Sequence, residues 1–315
     1  MNSEVIMAIL VRRSNLMVPL TEADMLSQAW RHNGDAITLD LEDGVPAGRK
    51  AEARGLVKKA IVPAGQGAAE VFVRVNKPFL HADLESSVWP GVCGIMLPQV
   101  ESAAEVTEAA EIVTTFERQR GIAVGSLQFI VLLESARAVW HIRSIVTANP
   151  RVTQVGLDES DLAGDLGINP LPEYDPFVYA RGRLAIEATA ARVKPIGMAY
   201  PMGVLPRVLS ASEIHEMATN ARNLGMKGII CPHPSWVEPV NAAFTPTAEL
   251  VAYNKRVREA FAKGVALGTA AVALDGRMID VPVDEWAQVV IDTAEACAAR
   301  DAEKHAALTR LHATG

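Results

Sequence analysis

Carboxylate side chains follow short apolar runs of this sequence where each run ends. Glu134 comes directly after the run 127–133, and Asp161 follows shortly after the run 154–157. Two carboxylates with no His or Cys beside them select a hard cation, and Mg²⁺ typically uses one or two carboxylates and completes its shell with water and substrate oxygens. Glu134 and Asp161 are therefore candidate ligands of a Mg²⁺ ion, with Mn²⁺ as the alternative.

Arg74 ends another apolar run, and Asp40 ends a third. A metal ion can bind a 2-oxo acid and polarise its carbonyl, and a fixed positive charge on Arg74 would stabilise the enolate charge that develops next to such a carbonyl. A structural ion pair between Arg74 and Asp40 is the alternative interpretation. Asp40, Glu42 and Asp43 cannot all bind one ion, so we expect two of them to support the site or to cap helices.

The segment after Asp161 offers a second kind of donor. Leu162 and Ala163 lead into a short turn over 163–167, whose backbone N–H groups are candidate donors to a substrate carboxylate, with glycine allowing close approach. Asp161 itself has an alternative role as a helix N-cap. Glu134 is harder to explain in this way, because a carboxylate that leaves a buried strand needs a partner.

Alternating strand and helix patterns must position these residues, and such alternation is typical of βαβ units and a parallel sheet. Eight apolar runs predict strands at 15–18, 36–40, 70–75, 94–97, 127–133, 154–157, 194–199 and 228–231. Helices are predicted at 22–33, 49–61, 103–120, 136–148, 178–192 and 212–224, the last capped by Ser212. Eight strands favour a closed (β/α)₈ TIM barrel over a six-stranded open sheet. The active site of such a barrel lies at the carboxyl ends of its strands.

About 70 residues follow the predicted barrel domain, which is too many for a frayed terminus. They predict a helix over 247–267, an extended segment over 268–274, a turn over 275–280 and a long helix over 284–311. We therefore expect a barrel domain over 1–245 and a C-terminal helical extension over 246–315, which serves as a lid or as an arm that reaches a neighbouring subunit.

The composition bounds the class of protein. The chain has 315 residues, of which 50% are hydrophobic, and a net charge of −7, which argues against broad binding of nucleic acid or anionic membranes. Cys93, Cys231 and Cys297 lie far apart, match no zinc spacing and suit a reducing compartment. No apolar run reaches the roughly 18 residues of a membrane helix, and the first residues lack the basic region of a signal peptide. We expect a soluble, cytoplasmic protein.

Several short motifs occur in a fixed order along nearly the whole chain: RSNLMVP at 13–19, DLEDGV at 40–45, RVN at 74–76, GIMLP at 94–98, ES at 134–135, DLAGDLG at 161–167 and MID at 278–280. This ordered set resembles the citrate lyase β-subunit-like group of the HpcH/HpaI aldolase superfamily. Arg13, which opens the first motif, joins Leu162 and Ala163 as a residue expected near the substrate.

The resemblance implies a Mg²⁺-dependent carbon–carbon lyase. Such an enzyme cleaves or forms a 3-hydroxyacyl-CoA such as malyl-CoA or citramalyl-CoA, with an acyl-CoA and a 2-oxo acid as the other partners. It implies that Glu134 and Asp161 bind the metal and that Arg74 stabilises the enolate. Asp280 would reach the site from the C-terminal lid of a neighbouring subunit and act as an acid or base, in a homotrimer or homohexamer.

The sequence departs from the usual pattern of that group in several places. Gln99 stands where a lysine is usual and Ser135 where a threonine is usual, the run 156–160 is longer, and the segment 196–207 has no counterpart. These differences leave the metal ligands intact and keep two alternatives open. One is a class II pyruvate-type aldolase acting on free hydroxy-oxo acids, and the other is a citrate lyase β chain that needs an acyl-carrier partner. Hydrolysis after cleavage is a further alternative.

Overall fold

Ten strands and twelve α-helices make up the described part of the chain, which in this computed structural model comprises residues 9–169, 174–197 and 209–314. The strands are β1 (Ser14–Pro19), β2 (Ala36–Asp40), β3 (Glu70–Arg74), β4 (Gly94–Leu97), β5 (Gln128–Leu133), β6 (Val152–Leu157), β7 (Lys194–Ile196), β8 (Ile229–Cys231), β9 (Val272–Leu274) and β10 (Arg277–Ile279). The helices are α1 (Ala23–Gln28), α2 (Lys50–Gly65), α3 (Leu80–Ser87), α4 (Ala103–Gln119), α5 (Ala136–Trp140), α6 (Ile142–Val146), α7 (Glu159–Asp165), α8 (Val178–Ala190), α9 (Ala211–Asn223), α10 (Val237–Phe244), α11 (Ala248–Ala266) and α12 (Val281–Thr314).

The first eight strands are all parallel and form one sheet in the order β7-β6-β5-β4-β3-β2-β1-β8. Its two ends meet, because Gly197 N donates to Gly228 O at 3.1 Å and Lys227 N donates to Pro195 O at 2.8 Å. The predicted (β/α)₈ barrel is confirmed, and the strand bounds agree with the prediction within a residue or two. The exception is the seventh strand, whose predicted last residues, 198–199, lie outside the described part.

Successive strand residues point to opposite faces of the sheet. The inward residues pack into a small interior cluster that includes Phe72, Met96, Ile130 and Leu132. The outward residues, such as Leu39, Val73 and Val131, belong to the large core between the strands and the helices. Since this alternation runs through the end of each strand, it also decides which residue at the rim faces the interior.

Arg12 fills the amino-terminal end of the barrel. Its guanidinium donates to Glu70 Oε1 at 2.9 Å, to Gln128 Oε1 at 2.8 Å and to Gln154 Oε1 at 3.2 Å, and it lies 4.7 Å from the centre of the Phe72 ring. These partners begin or lie near the start of three different strands. The buried charge is thus satisfied, as a buried arginine requires, and this end of the barrel is closed.

The helix predictions need several corrections. The predicted helix 136–148 is two short helices that meet at His141, whose N–H is shared between two carbonyls of the preceding turn. Helices α3 and α10 were not predicted, since eight residues each are too few to show a clear period. The cap of α9 is Ser210 and not Ser212: Ser210 accepts from Glu213 N while Glu213 accepts from Ser210 N, which is a capping box.

Contacts between Cα atoms divide the described chain into two units, 12–244 with 307–314, and 9–11 with 245–306. In the second unit, the antiparallel strands β9 and β10 and the helices α11 and α12 share a small core around Val257, Ile279 and Ala287. The predicted turn over 275–280 is wrong beyond its first two residues. Asp275 and Gly276, with φ of 49° and 75°, form the two-residue hairpin turn that Asp-Gly favours, and β10 follows. Within the described residues, no helix combines the length and the apolarity that a membrane crossing requires.

Candidate active site

Three charged residues continue the inward face of their strands to the carboxyl-terminal rim of the barrel. Asp40 follows Thr38 with a period of two, Arg74 follows Phe72, and Glu134 follows Leu132. Asp40 and Arg74 are also paired in the register between β2 and β3. The alternation of the strands therefore brings these side chains to one place, where a rim site is expected in a barrel.

Arg74 is held by two carboxylates in a partly buried ion pair. Its Nε lies 2.7 Å from Asp40 Oδ1 and its NH2 lies 2.7 Å from Asp40 Oδ2, and its NH1 lies 2.9 Å from Glu42 Oε2. Burial opposes ionisation of Asp40, but the hydrogen bonds and charge of Arg74 outweigh it and lower the pKa of that carboxyl. The ion pair named as the alternative interpretation for Arg74 is thus present, and it orients the guanidinium at the rim.

Asp40 also shapes the turn that follows β2. Its carboxylate accepts from Glu42 N at 2.8 Å and from Gly44 N at 2.9 Å. A Cβ at residue 44 would lie 2.7 Å from Asp40 Oδ2 and 2.7 Å from Pro19 Cγ, so only glycine fits there. Lys50 Nζ closes the turn by donating to the carbonyls of Leu41 and Glu42.

Glu42 is buried at the rim with an incompletely satisfied carboxyl group. Its Oε2 accepts no hydrogen bond within the described residues, although it lies near Arg74, and its Oε1 lies 3.5 Å from Gln99 Nε2. Burial raises the pKa of Glu42, the negative charges of Asp43 and Asp40 raise it further, and the positive charge of Arg74 lowers it. The resulting pKa is about 7. Asp43, in contrast, is a largely exposed carboxylate at the edge, with Oδ2 3.5 Å from Arg74 NH1.

Glu134 and Asp161 lie in hydrogen-bonding contact with each other. Glu134 is only 7% exposed, whereas Asp161 is exposed on the first turn of α7. Burial, the charge of Glu42 and the hydrogen bond with Asp161 together raise the pKa of Glu134 to about 9. Glu134 therefore keeps its proton at neutral pH, because ionisation of this buried carboxyl lacks a compensating positive charge. A divalent cation can take the place of that proton.

The donor set fits a hard cation that needs few protein ligands. Among the described residues, no three His, Cys, Asp or Glu side chains are grouped so that they could hold a metal ion. One or two carboxylates, with water and substrate oxygens in the remaining positions, is the arrangement that Mg²⁺ typically adopts. Glu134 and Asp161 are the residues here that would hold it.

Asp158 is a residue of the site that the sequence analysis did not select. Its carboxylate caps α7 by accepting from Ser160 N at 2.9 Å and from Asp161 N at 3.4 Å. The N-cap role suggested for Asp161 is therefore wrong, since Asp158 performs it and leaves the Asp161 carboxylate available. Burial and the charge of Asp161 raise the pKa of Asp158.

A cavity of about 400 Å³ opens at this rim. Its polar wall includes Asp40, Arg74 and Asp158, and its apolar floor includes Met96 and Leu132. This combination of an apolar floor and a few convergent polar groups is typical of a small-molecule site.

One of the residues expected near the substrate, Arg13, lies elsewhere. Arg13 precedes β1 and so lies at the opposite end of the barrel, where its Nε and NH2 donate to the two carboxylate oxygens of Asp35 at 2.8 and 2.9 Å. Leu162 and Ala163 are buried on α7. The predicted turn over 163–167 is mostly helix, and the N–H groups of Leu166 and Gly167 donate to carbonyls of their own helix. They do not offer free donors to a ligand.

Asp280 belongs to the second unit and stands at the start of α12. Its Oδ1 accepts from Val283 N at 3.3 Å, and its carbonyl accepts from Asp284 N at 3.0 Å. The predicted segment 196–207 lies outside the described residues from 198 onward.

Comparison with known proteins shows the family to which this barrel belongs. The sequence profile of the HpcH/HpaI aldolase/citrate lyase family matches residues 13–234. The chain belongs to this family. Membership confirms the predicted resemblance and the prediction of an enzyme of the aldolase and lyase class.

Individual relatives of the HpcH/HpaI family cover most of the chain. The citrate lyase subunit beta of Haemophilus influenzae is 30% identical over 288 residues, which are 90% of this chain and 97% of that protein. The corresponding subunit of Leuconostoc mesenteroides is 29% identical over 289 residues, 91% and 94% of the two chains. The L-malyl-CoA/beta-methylmalyl-CoA lyase of Cereibacter sphaeroides is 26% identical over 306 residues, 90% and 94% of the two chains.

Solved structures of related proteins share the fold. The protein CitE of Mycobacterium tuberculosis, in complex with magnesium, acetoacetate and coenzyme A, matches with a TM-score of 0.71 at 24% identity, over 90% of this chain and 98% of that one. A citrate lyase of Burkholderia xenovorans matches with a TM-score of 0.77 at 19% identity, over 96% and 98%. At these identities the likeness concerns the fold.

Proposed function

We propose that this chain is a Mg²⁺-dependent carbon–carbon lyase that cleaves or forms a 3-hydroxyacyl-CoA such as malyl-CoA or citramalyl-CoA. The observation that carries the proposal is the convergence of two groups on Glu42 at the rim. Glu134, in contact with Asp161, feels the charge of Glu42, and Glu42 Oε2 lies 2.9 Å from NH1 of Arg74, which lines the cavity. Two relatives lend support: the lyase of Cereibacter sphaeroides is named for malyl-CoA, and the CitE structure holds magnesium and coenzyme A.

In the cleavage direction, a base takes the proton of the 3-hydroxyl group and the bond between C2 and C3 breaks. C3 becomes the oxo carbon of a 2-oxo acid, and the electron pair remains on C2 as the enolate of the acyl-CoA. Arg74, oriented by Asp40, would stabilise the negative enolate oxygen as a preorganised donor. A Mg²⁺ ion held by Glu134 and Asp161 would supply Lewis-acid polarisation of the oxo-acid carbonyl when it is bound.

Asp280 completes the proposed machinery. We infer that it comes from a neighbouring subunit of a homotrimer or homohexamer and donates the proton to C2 in cleavage, or removes it in condensation. Asp280 stands at the amino end of α12, in the unit of residues 9–11 and 245–306 and not in the barrel unit. This placement supports the inference that another chain supplies Asp280 to the site.

The direct test of the lyase function is an assay of the purified chain with malyl-CoA and citramalyl-CoA before and after treatment with EDTA. Formation of a 2-oxo acid and an acyl-CoA that stops on metal removal and resumes with Mg²⁺ supports the proposal. Turnover that survives thorough metal removal contradicts the mechanism.

A citrate lyase β chain that acts on an acyl-carrier thioester is the second candidate, because the relatives at 29% and 30% identity carry that name. Robust turnover of CoA thioesters by the isolated chain argues against it. Turnover of an acyl thioester of the carrier protein, with none of the CoA thioesters, favours it. Cleavage of free hydroxy-oxo acids alone would instead indicate a class II pyruvate-type aldolase.

Mg²⁺ affinity is expected to rise with pH. In the metal-free protein the pKa of Glu134 is raised by burial, by Glu42 and by Asp161 from the ordinary 4.5 to about 9, so between these values the folded chain holds a proton that the unfolded chain has released. The stability contributed by this group is full below pH 4.5 and is lost as the pH rises through 9. Because Mg²⁺ must displace the proton, its Kd should be about tenfold or more weaker at pH 6 than at pH 8.

Calorimetric titration of the metal-free protein with MgCl₂ at both pH values measures this dependence. The variant Asp43→Asn, which removes an exposed carboxylate of the same rim, serves as the control and should keep the wild-type slope. An Mg²⁺ affinity that does not change between pH 6 and pH 8 would contradict the presence of a proton on Glu134.

The shared active site predicts complementation between two inactive variants. Asp280→Asn should keep its fold and its Mg²⁺ affinity but lose most turnover, and Arg74→Ala should also lose turnover. Mixed and reassembled, the two chains should regain activity, because some sites then combine an intact Arg74 with an intact Asp280 from another chain. The mixture is assayed after dissociation and reassociation, with the mass of the oligomer measured by light scattering. Absence of any recovery in verified mixed oligomers argues against a site shared between subunits.

A further inference from the structure

Gln99, in the turn between β4 and α4, has a left-handed backbone conformation with φ of 53°. Residues other than glycine are disfavoured there, because the Cβ atom crowds a neighbouring carbonyl oxygen. Such strain persists where the surroundings hold the backbone in place, and it concentrates at functional sites.

The backbone of Gln99 is held on both sides. Its N–H donates to the carboxylate of Glu134, and its carbonyl accepts from Lys77 Nζ at 2.7 Å. The next residue, Val100, donates its N–H to Leu132 O at 3.1 Å and so fixes the turn against β5. The strained conformation therefore aims a backbone donor at the proposed metal ligand.

The side chain of Gln99 is exposed at the rim and is only loosely bound. Its Nε2 lies 3.5 Å from Glu42 Oε1, at the long limit of a hydrogen bond. In the order of the strands, Gln99 stands after β4, between Arg74 on β3 and Glu134 after β5. The side-chain amide of Gln99, which can both donate and accept hydrogen bonds, therefore lies between the guanidinium of Arg74 and the Glu134–Asp161 pair.

A role of the backbone alone does not explain a glutamine at this position. Glycine would adopt this φ without strain and would offer the same N–H and carbonyl groups. Any contribution of the side chain is therefore separate from that of the backbone, and the contact with Glu42 is too long to be a strong one.

We propose that Gln99 is a specificity-determining residue whose side-chain amide donates a hydrogen bond to an oxygen of the 2-oxo acid bound between Arg74 and Glu134. This inference rests on the proposed lyase function, because that function supplies the 2-oxo acid. The neutral amide adds a directional hydrogen bond without adding charge beside Glu42, so it discriminates among oxo acids by the position of their oxygens.

The test compares two variants that suit a left-handed backbone. Gln99→Gly keeps the backbone groups and removes the amide, and Gln99→Asn keeps an amide on a shorter side chain. Ala68→Gly is the matched control, because Ala68 has a φ of 66° in the turn before β3, at the other end of the barrel. The full-length chain is titrated with Mg²⁺ alone, and the Mg²⁺-loaded protein is then titrated with glyoxylate, pyruvate and oxaloacetate. The Tm and the turnover with CoA thioesters are measured in parallel.

Gln99→Gly should bind Mg²⁺ like the wild type and unfold at the same or a higher temperature. It should bind the preferred oxo acid about three- to tenfold more weakly, as expected for the loss of one neutral hydrogen bond, and its preference among the three acids should shrink. Gln99→Asn should recover part of the affinity, and Ala68→Gly should change only the Tm.

Oxo-acid affinities that Gln99→Gly leaves unchanged would overturn the proposal, and so would a parallel loss of Mg²⁺ affinity, since the effect would then act through Glu134. Oxo-acid binding that depends on residue 99, without any thioester turnover by the wild type, would support this proposal and refute the lyase function. Failure of the wild type to bind any oxo acid would overturn both.

Discussion

Replacement of Arg74 by alanine is expected to lower kcat by about 10²- to 10³-fold, which is the loss that follows removal of one preorganised donor to a developing oxyanion. The guanidinium lines the rim cavity and is oriented by two 2.7 Å hydrogen bonds to Asp40. Its removal also leaves the Asp40 carboxylate buried without its cation, which should destabilise the fold by about 3–5 kcal/mol. Steady-state kinetics of malyl-CoA or citramalyl-CoA cleavage, normalised to the folded fraction, and urea unfolding measure the two effects.

Arg13→Ala is the matched control for this experiment. Arg13 forms a still more deeply buried ion pair with Asp35 at the opposite end of the barrel. Its replacement should destabilise the fold to a similar extent while the kcat of the folded protein stays near the wild-type value. Equal losses of kcat in both variants would show that the effect of Arg74 is one of stability alone, and the assigned role would then be wrong.

Replacement of Glu134 by glutamine is expected to abolish Mg²⁺ binding and, with it, turnover. Because the pKa of Glu134 is about 9 in the metal-free protein, that carboxyl is protonated at pH 7, and glutamine is its neutral isostere. The stability of the metal-free protein should therefore stay within about 0.5 kcal/mol of the wild type. Mg²⁺ at 100 times its Kd should stabilise the wild type by about 2.7 kcal/mol and the variant not at all.

Urea unfolding with EDTA and with Mg²⁺ measures these four stabilities. Asp161→Asn should likewise lose the Mg²⁺ effect, and Asp43→Asn, at the same rim but exposed, should retain it. If Glu134→Gln still gains full stability from Mg²⁺, the carboxylate pair is not the metal site and another group of rim oxygens must be sought.

The sequence by itself determined the frame of the barrel and the faces of its strands. Eight apolar runs, separated by helical patterns, predict the eight strands, since apolar patterning follows directly from burial. A period of two then places Asp40, Arg74 and Glu134 on the inward face at the rim. The same logic could have excluded Arg13, because a residue that precedes a strand lies at the opposite end from the active rim.

Only the tertiary structure decides which of two nearby residues caps the start of a helix. Both Asp158 and Asp161 can cap a helix in a sequence, and the backbone geometry at the start of α7 gives that role to Asp158. The exact start of α9 at Ser210 depended on the same kind of choice. Capping is worth only about 1 kcal/mol, so residue type alone does not rank two candidates a few positions apart.

The carboxylate pair Glu134–Asp161 and the turn around Gln99 also depend on contacts that only the tertiary structure brings together. Residue types and strand order suggested that the two acids share one ion, but the raised pKa of Glu134 arises from its burial, from the charge of Glu42 and from the hydrogen bond with Asp161. The left-handed backbone of Gln99 has no signature in the sequence, because glutamine does not favour it. It exists because contacts from Lys77, Glu134 and β5, distant in the chain, converge on one turn, and such convergence is a property of the folded barrel alone.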